Sequence, residues 1–196
     1  MEAILSTPTS NKKIVSDGVM GMIFLLASEV MFFAGLISAY IVNRAGAMSW
    51  PPYGQPRLPI EVTALNTAIL IASAVLIFSF GKKFKTNYNR RNSMRLLTTT
   101  ISLGGIFLSI QGTEWVKLIG YGLTTTSCLY GAFFYLIIGA HAIHVIAGLS
   151  ILLYLFFFLR KSSSNEDSKN KIIICSMYWY FVVAIWPILY ILVYLM

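Results

Sequence analysis

Charge is what this sequence most lacks. Its 196 residues carry 15 Lys and Arg and 7 Asp and Glu, so 11% are charged, against roughly 25% in a soluble globular domain. With 57% hydrophobic residues and a mean hydropathy of +0.74, the chain has nothing with which to cover a water-facing surface. The same numbers exclude a disordered chain and a nucleic-acid binder. Two cysteines are too few for a disulfide scaffold. Phosphate-binding glycine loops, an assignable serine triad and internal repeats are all missing, and so is the period-2 alternation of a transmembrane barrel. At roughly 100–200 residues per domain, residues 1–196 are expected to form a single transmembrane domain.

What is present is long apolar runs. Hydropathy predicts five transmembrane helices at about 18–42, 60–80, 96–113, 129–159 and 172–195, and hence an all-α membrane bundle. The first run, at a rise of 1.5 Å per residue, is about 37 Å long, enough for a hydrocarbon core of about 30 Å. It exceeds the 7–15-residue core of a cleaved signal and is expected to be retained. The third is the weakest signal, because it turns polar at Gln111, Glu114 and Lys117. In lipid the backbone must satisfy its own hydrogen bonds, which makes these runs helices.

The basic residues set a direction. Lys12 and Lys13, the stretch from Lys82 to Arg95, and the stretch from Arg160 to Lys171 lie on one side and hold twelve of the fifteen cations; Arg44, Arg57 and Lys117 lie on the other. Lys and Arg collect on the cytoplasmic face, which puts the amino terminus inside and the carboxyl terminus outside. That topology separates Cys128 from Cys175 by a membrane thickness and excludes a bridge between them, leaving two small hydrophobes. Pro51, Pro52, Pro56 and Pro59, with Trp50 and Tyr53, make the first loop a rigid connector. Pro187 predicts a kink in the last span. Gly104-Gly105 and Gly139-Ala140 predict close helix packing.

Polar groups inside the spans are the candidate functional residues. Glu29 lies about 16 Å into the first span, and His141 and His144, the only histidines, sit mid-span in the fourth on one helical face. Asn66, Gln111 and Tyr180 fall at broadly similar depths. An ionised carboxylate there costs several kcal/mol, so Glu29 is expected to be neutral or paired within the bundle, hydrogen-bonded to His144 or Tyr180 in a polar layer. His141 and His144 project from one helix and cannot clamp one haem, and a copper or di-iron site needs three or more clustered ligands. No catalytic residue and no metal site is expected. A proton relay or a lipid-headgroup site suits Glu29 better.

Four stretches resemble subunit III of the haem-copper respiratory oxidases. Ser28-Glu29 with Phe32-Phe33 is similar to that family's Ser-Glu-x-x-Phe-Phe segment. Trp50-Pro51-Pro52-Tyr53-Gly54, Pro59-Ile60-Glu61-Val62 and Leu65-Asn66-Thr67 resemble its proline loop and following helix. Gln111, Glu114 and Trp115 match its Gln-x-x-Glu-aromatic turn, and Gly139, His141, His144, Val145 and Gly148 its Gly-x-His-x-x-His-Val-x-x-Gly helix. The chain looks like the five-helix form of many bacterial members. It departs at Trp179, where the usual Trp-x-His-Phe-Val-Asp becomes Trp179-Tyr180-Phe181-Val182-Val183: Tyr180 replaces the histidine.

The resemblance implies a non-redox, non-catalytic subunit of a proton-pumping terminal oxidase in the bacterial cytoplasmic membrane. Haem and copper would belong to partner subunits I and II. This chain would pack on subunit I, bind phospholipid, and support proton uptake and the stability of the catalytic subunit during oxygen reduction. Glu29 would be the family's buried carboxylate, with His141 and His144 lining the same bundle. Cytochrome c oxidase is favoured over a quinol oxidase or an accessory chain of nitric oxide reductase. The rival classes are a small proton-coupled transporter, for which repeats and broken helices are missing, and a purely structural scaffold.

Overall fold

The computed structural model describes residues 16–56, 58–86, 90–161 and 166–195. Among them every regular element is helical: α1 (Asp17–Ala45), α2 (Ile60–Thr86), α3 (Arg90–Gly120), α4 (Leu129–Lys161) and α5 (Glu166–Tyr190), which continues into a π-helical turn at Ile191–Leu195. All five are long and apolar enough to cross a membrane. Large apolar side chains point outward along them, among them Phe24, Met31, Val42, Phe78, Ile143 and Phe157. Such a surface would drive aggregation in water, but it is neutral against lipid tails.

The helices run past the expected apolar limits, most of all α3, expected at 96–113 and observed over Arg90–Gly120. Gln111 and Glu114 do not end it because each finds a partner: Gln111 Nε2 donates to the Tyr194 hydroxyl at 2.9 Å, and Lys117 pairs with Glu114 at 2.8 Å. What ends α3 is a glycine. Gly122 has φ +89°, which L side chains rarely adopt. Its N–H bonds the Ile119 carbonyl, and the Leu123 N–H bonds that of Leu118, both at 3.0 Å. This is a Schellman stop, and Leu118 and Leu123, both buried, make its apolar contact. Cys128 then opens α4, its sulfur accepting from the Gly131 N–H at 3.4 Å, so this thiol has a capping role beyond that of a small hydrophobe. Both cysteines are free.

The centre of the bundle is α5, half of whose most apolar stretch is buried, against 6% for α1. It packs on α1, α2 and α4, while α3 packs on α2 and α4. Trp179 and Trp186 are fully buried and each donates its indole N–H to a hydroxyl of α2: Trp179 to Ser73 at 3.1 Å and Trp186 to Thr67 at 2.9 Å. Each hydroxyl spends its own hydrogen on an α2 carbonyl one turn back, so both bonds are complete inside an apolar medium. The Trp179 ring fits between α3 and α4 because a Cβ at Gly104 would stand 2.7 Å from it, and one at Gly148 2.9 Å. The expected close packing thus falls at Gly104 and Gly148. Gly105 faces open space and Gly139 is in ordinary contact with Trp115, since glycines packed at a given helix rotation cannot include two consecutive positions. Pro187 lies inside α5 with helical residues on both sides.

Candidate functional site: a carboxyl–imidazole bridge between α1 and α4

Helix α1 buries only Phe33 and Tyr40. Glu29, Phe32 and Phe33 stand at i, i+3 and i+4, which puts them on one helical face, and that face meets His144 of α4. Glu29 Oε2 lies 2.9 Å from His144 Nε2. The imidazole stacks on Phe32 with centroids 6.1 Å apart and receives Phe33 edge-on at 5.0 Å. The two polar side chains keep 24% and 14% exposure, Glu29 the larger, so the bridge sits at the outer edge of the bundle.

The other ring nitrogen fixes the proton count. His144 Nδ1 lies 2.7 Å from the Ala140 carbonyl, which can only accept, so Nδ1 carries a hydrogen. Nε2 and Oε2 then share one further proton. With the proton on oxygen the pair is a neutral acid and a neutral base; with it on nitrogen it is an ion pair. Net charge is zero in both cases, which lets a carboxyl group sit at this depth. The bridge can hold, and pass between two atoms, a single proton.

The expected polar layer is divided by the helix faces. His141, three residues before His144, turns inward: it is 1% exposed, stacks on Trp186 at 4.9 Å and meets the edge of Phe107 at 6.2 Å. Neither of its ring nitrogens has a protein partner. Asn66 donates to the Phe107 carbonyl at 3.1 Å, tying α2 to α3, and Gln111 ties α3 to the final turn. Tyr180 does not join the pair. It lines a cleft between α2 and α5 with Phe78, Lys82, Lys169 and Ser176, because the inward Trp179 turns its neighbour along the helix away from α1.

The remaining motif residues are spread through the bundle. Trp50 follows α1, donates to the Tyr40 hydroxyl at 3.0 Å and packs edge-on against Tyr130 at 5.3 Å. It joins Pro51 through a cis bond, and the Pro52 carbonyl accepts from Gln55 N–H at 3.3 Å. Glu61 is exposed in the first turn of α2, where it suits the helix dipole. Trp115 lies edge-on to Tyr135 at 5.9 Å. Glu114 is nearly buried beside the exposed Lys117. Reading from sequence gave no role to Ser73 and Tyr194 and quoted Thr67 only within a motif, yet all three hydroxyls receive side-chain N–H bonds; for Ser73 and Thr67, a Ser or Thr on a span followed later by buried indoles was the available signal.

Among the described residues no three His, Cys, Asp or Glu side chains stand close enough to share a metal ion; Glu29 and His144 are two donors already committed to each other. Comparison with known proteins agrees with the motifs. The family model described as cytochrome c oxidase subunit III matches residues 3–196. Proteins named cytochrome c oxidase subunit 3 from Halichoerus grypus and Equus caballus are 33% identical to this chain over 180 residues, covering 89% of it and 67% of the relative. That of Ornithorhynchus anatinus is 32% identical over 189 residues, covering 93% and 71%. With five membrane-spanning helices, a match over nearly its whole length and the Glu29 and His144 motifs joined in space, the chain belongs to the cytochrome c oxidase subunit III family.

Proposed function

We propose that this multi-pass membrane protein is the non-redox third subunit of a proton-pumping terminal oxidase, with cytochrome c favoured over quinol as the electron donor. It packs against the catalytic subunit I, within a complex that includes subunit II, and holds neither haem nor copper itself. It binds phospholipid, supports proton entry into its partner from the inner side, and prolongs the partner's working life during oxygen reduction. The observation that carries this reading is the one-proton bridge between Glu29 and His144, 2.9 Å long and at the bundle edge. Shifting the proton within the pair leaves the net charge at zero and costs no desolvation, whereas losing it would leave a carboxylate in the bundle, so the pair passes a proton on only as another replaces it.

The test is Glu29→Gln in the intact complex. The amide can still donate to His144 Nε2, so the contact between α1 and α4 survives while the shared acidic proton is lost. The chain is expected to co-purify with a haem-bearing subunit, and the variant complex to take up protons more slowly and inactivate after fewer turnovers. Unchanged proton uptake and lifetime would reduce the subunit to a scaffold. Purification as a haem-free homo-oligomer would favour a transporter.

A further inference from the structure

We propose that Tyr178 of α5 hands protons from the basic end of the bundle to Glu29, through its own hydroxyl and one water molecule. The proposal rests on the proton-support reading above. It adds the group that delivers the proton the bridge must receive before it gives one up.

The register of three helices puts Tyr178 in that place. Phe33 of α1 meets Phe181 of α5, with ring centroids 6.2 Å apart. The same two helices touch again nearer the basic end, where a Cβ at Gly18 would stand 2.7 Å from Ile174 Cδ1. Glu29 precedes Phe33 by four residues and Tyr178 precedes Phe181 by three. Each therefore lies one turn toward the basic end, on the helical face that makes the contact. Helix α4 runs the other way, and Gly148, one turn past His144, reaches the same level. A Cβ there would lie 3.5 Å from Tyr178 Cε1, so the glycine lets the tyrosine ring lie against α4 beside the bridge. At this separation the Glu29 charge is felt at the Tyr178 hydroxyl.

The chemistry of the group fits a carrier. A tyrosine O–H both donates and accepts. The hydroxyls of Tyr40, Tyr135, Tyr190 and Tyr194 are engaged by protein partners, whereas among the described residues none bonds that of Tyr178. Its ring is buried, at 6% exposure. Helical side chains lean toward the amino terminus of their helix, and α5 begins at the basic end, so the hydroxyl points from the Glu29 level toward that end. Seven residues earlier on the same face, about 10 Å along the axis, Lys171 reaches the Tyr154 hydroxyl at 3.4 Å. Polar groups thus begin at the basic end and resume at Tyr178.

The step conserves every bond type. A proton arriving in water from the basic end adds to the Tyr178 oxygen, while the hydroxyl's original hydrogen leaves for the intervening water. That water gives one of its own hydrogens to Glu29. Tyrosine and water finish as they began, and Glu29 gains the proton that replaces the one passed to the partner subunit. No direct hydrogen bond joins Glu29 to Tyr178 among the described residues, and one bridging water spans such a gap at little cost.

The experiment is Tyr178→Phe in the intact complex, which keeps the ring against Gly148 and removes only the hydroxyl. Proton uptake, read with a pH-indicating dye over a single turnover, is expected to fall several-fold, to the level of Glu29→Gln. The double variant should be no slower than Glu29→Gln alone, since both groups serve one path. A structural role would instead make the two losses add. The infrared carboxyl band that Glu29→Gln removes should move in Tyr178→Phe, because its water-bridged donor is gone. Tyr180→Phe, the same change in the separate cleft, should leave uptake and band as they were. Additive losses, an unmoved band, or an equal effect from Tyr180→Phe would each overturn the proposal. Slow uptake in Glu29→Gln with normal uptake in Tyr178→Phe would overturn it and leave the Glu29 reading standing; normal uptake in both would remove the two together.

Discussion

A carboxyl group in a bilayer has to be neutralised, and the Ala140 carbonyl decides how. By holding a hydrogen on His144 Nδ1, it leaves Nε2 as the atom that shares the Glu29 proton. A fully buried ion pair can cost 3–5 kcal/mol to break, but hydrogen bonds between membrane helices average about 0.6 and reach about 1.7 kcal/mol. The second scale applies here, because the pair is net neutral and only partly buried. A double-mutant cycle with Glu29→Ala and His144→Ala, read by unfolding in mixed micelles, is expected to give a coupling of about 1 kcal/mol; a value near zero would mean the two side chains do not bond. His141 should behave in the opposite way. Its ring is enclosed by Trp186, Phe107 and Phe33 and has no protein partner for either nitrogen. His141→Phe should leave stability unchanged or raise it, since an aromatic of similar shape removes the cost of unsatisfied polar atoms.

At the scale of helices, packing is organised around Trp179. Its indole is hydrogen-bonded to Ser73 on one side and pressed against two glycines on the other, so it cannot swing aside. Gly104→Ala is expected to cost about 1–3 kcal/mol by overpacking, whereas Gly105→Ala, which faces open space, should gain up to about 1 kcal/mol from helix propensity. Thermal unfolding of the two adjacent variants checks this, and equal effects would mean that the Trp179 contact does not limit the approach of α3. Element existence was legible in the sequence because a long apolar run has no alternative to a helix in lipid. Element ends were less so. The α3 helix outlasts its apolar core because Gln111 and Glu114 meet partners on other residues, and a polar residue stops a membrane helix only when it would be left unpaired.

For the whole molecule the open quantity is direction. The basic stretches at Lys82–Arg95 and Arg160–Lys171 share one end of the bundle, since α2 and α4 both finish there and α3 and α5 both begin there. The positive-inside rule predicts that this end faces the cytoplasm. In a Cys128→Ser background, which keeps a capping side chain for α4, Tyr53→Cys should react with an impermeant thiol reagent added to intact cells. Lys83→Cys should react only after the membrane is opened. Both wild-type residues are exposed, so access is not limiting, and the opposite pattern would invert the orientation.

The residues by themselves determined the solvent, the element type and the candidates: too few charges for water, five runs too long for anything but spans, and Glu29 as a carboxyl group that must find company. These follow from transfer free energies, which depend on composition and order alone. Which company it finds was decided only by tertiary structure. His144 and Tyr180 were equally eligible by depth, but the rotation of α5 that buries Trp179 against α2 turns Tyr180 into a different cleft, while the pairing of α1 with α4 brings His144 to 2.9 Å. Depth is a property of one helix and can be counted along the chain. Adjacency is a property of two, and depends on how every other side chain in the bundle packs.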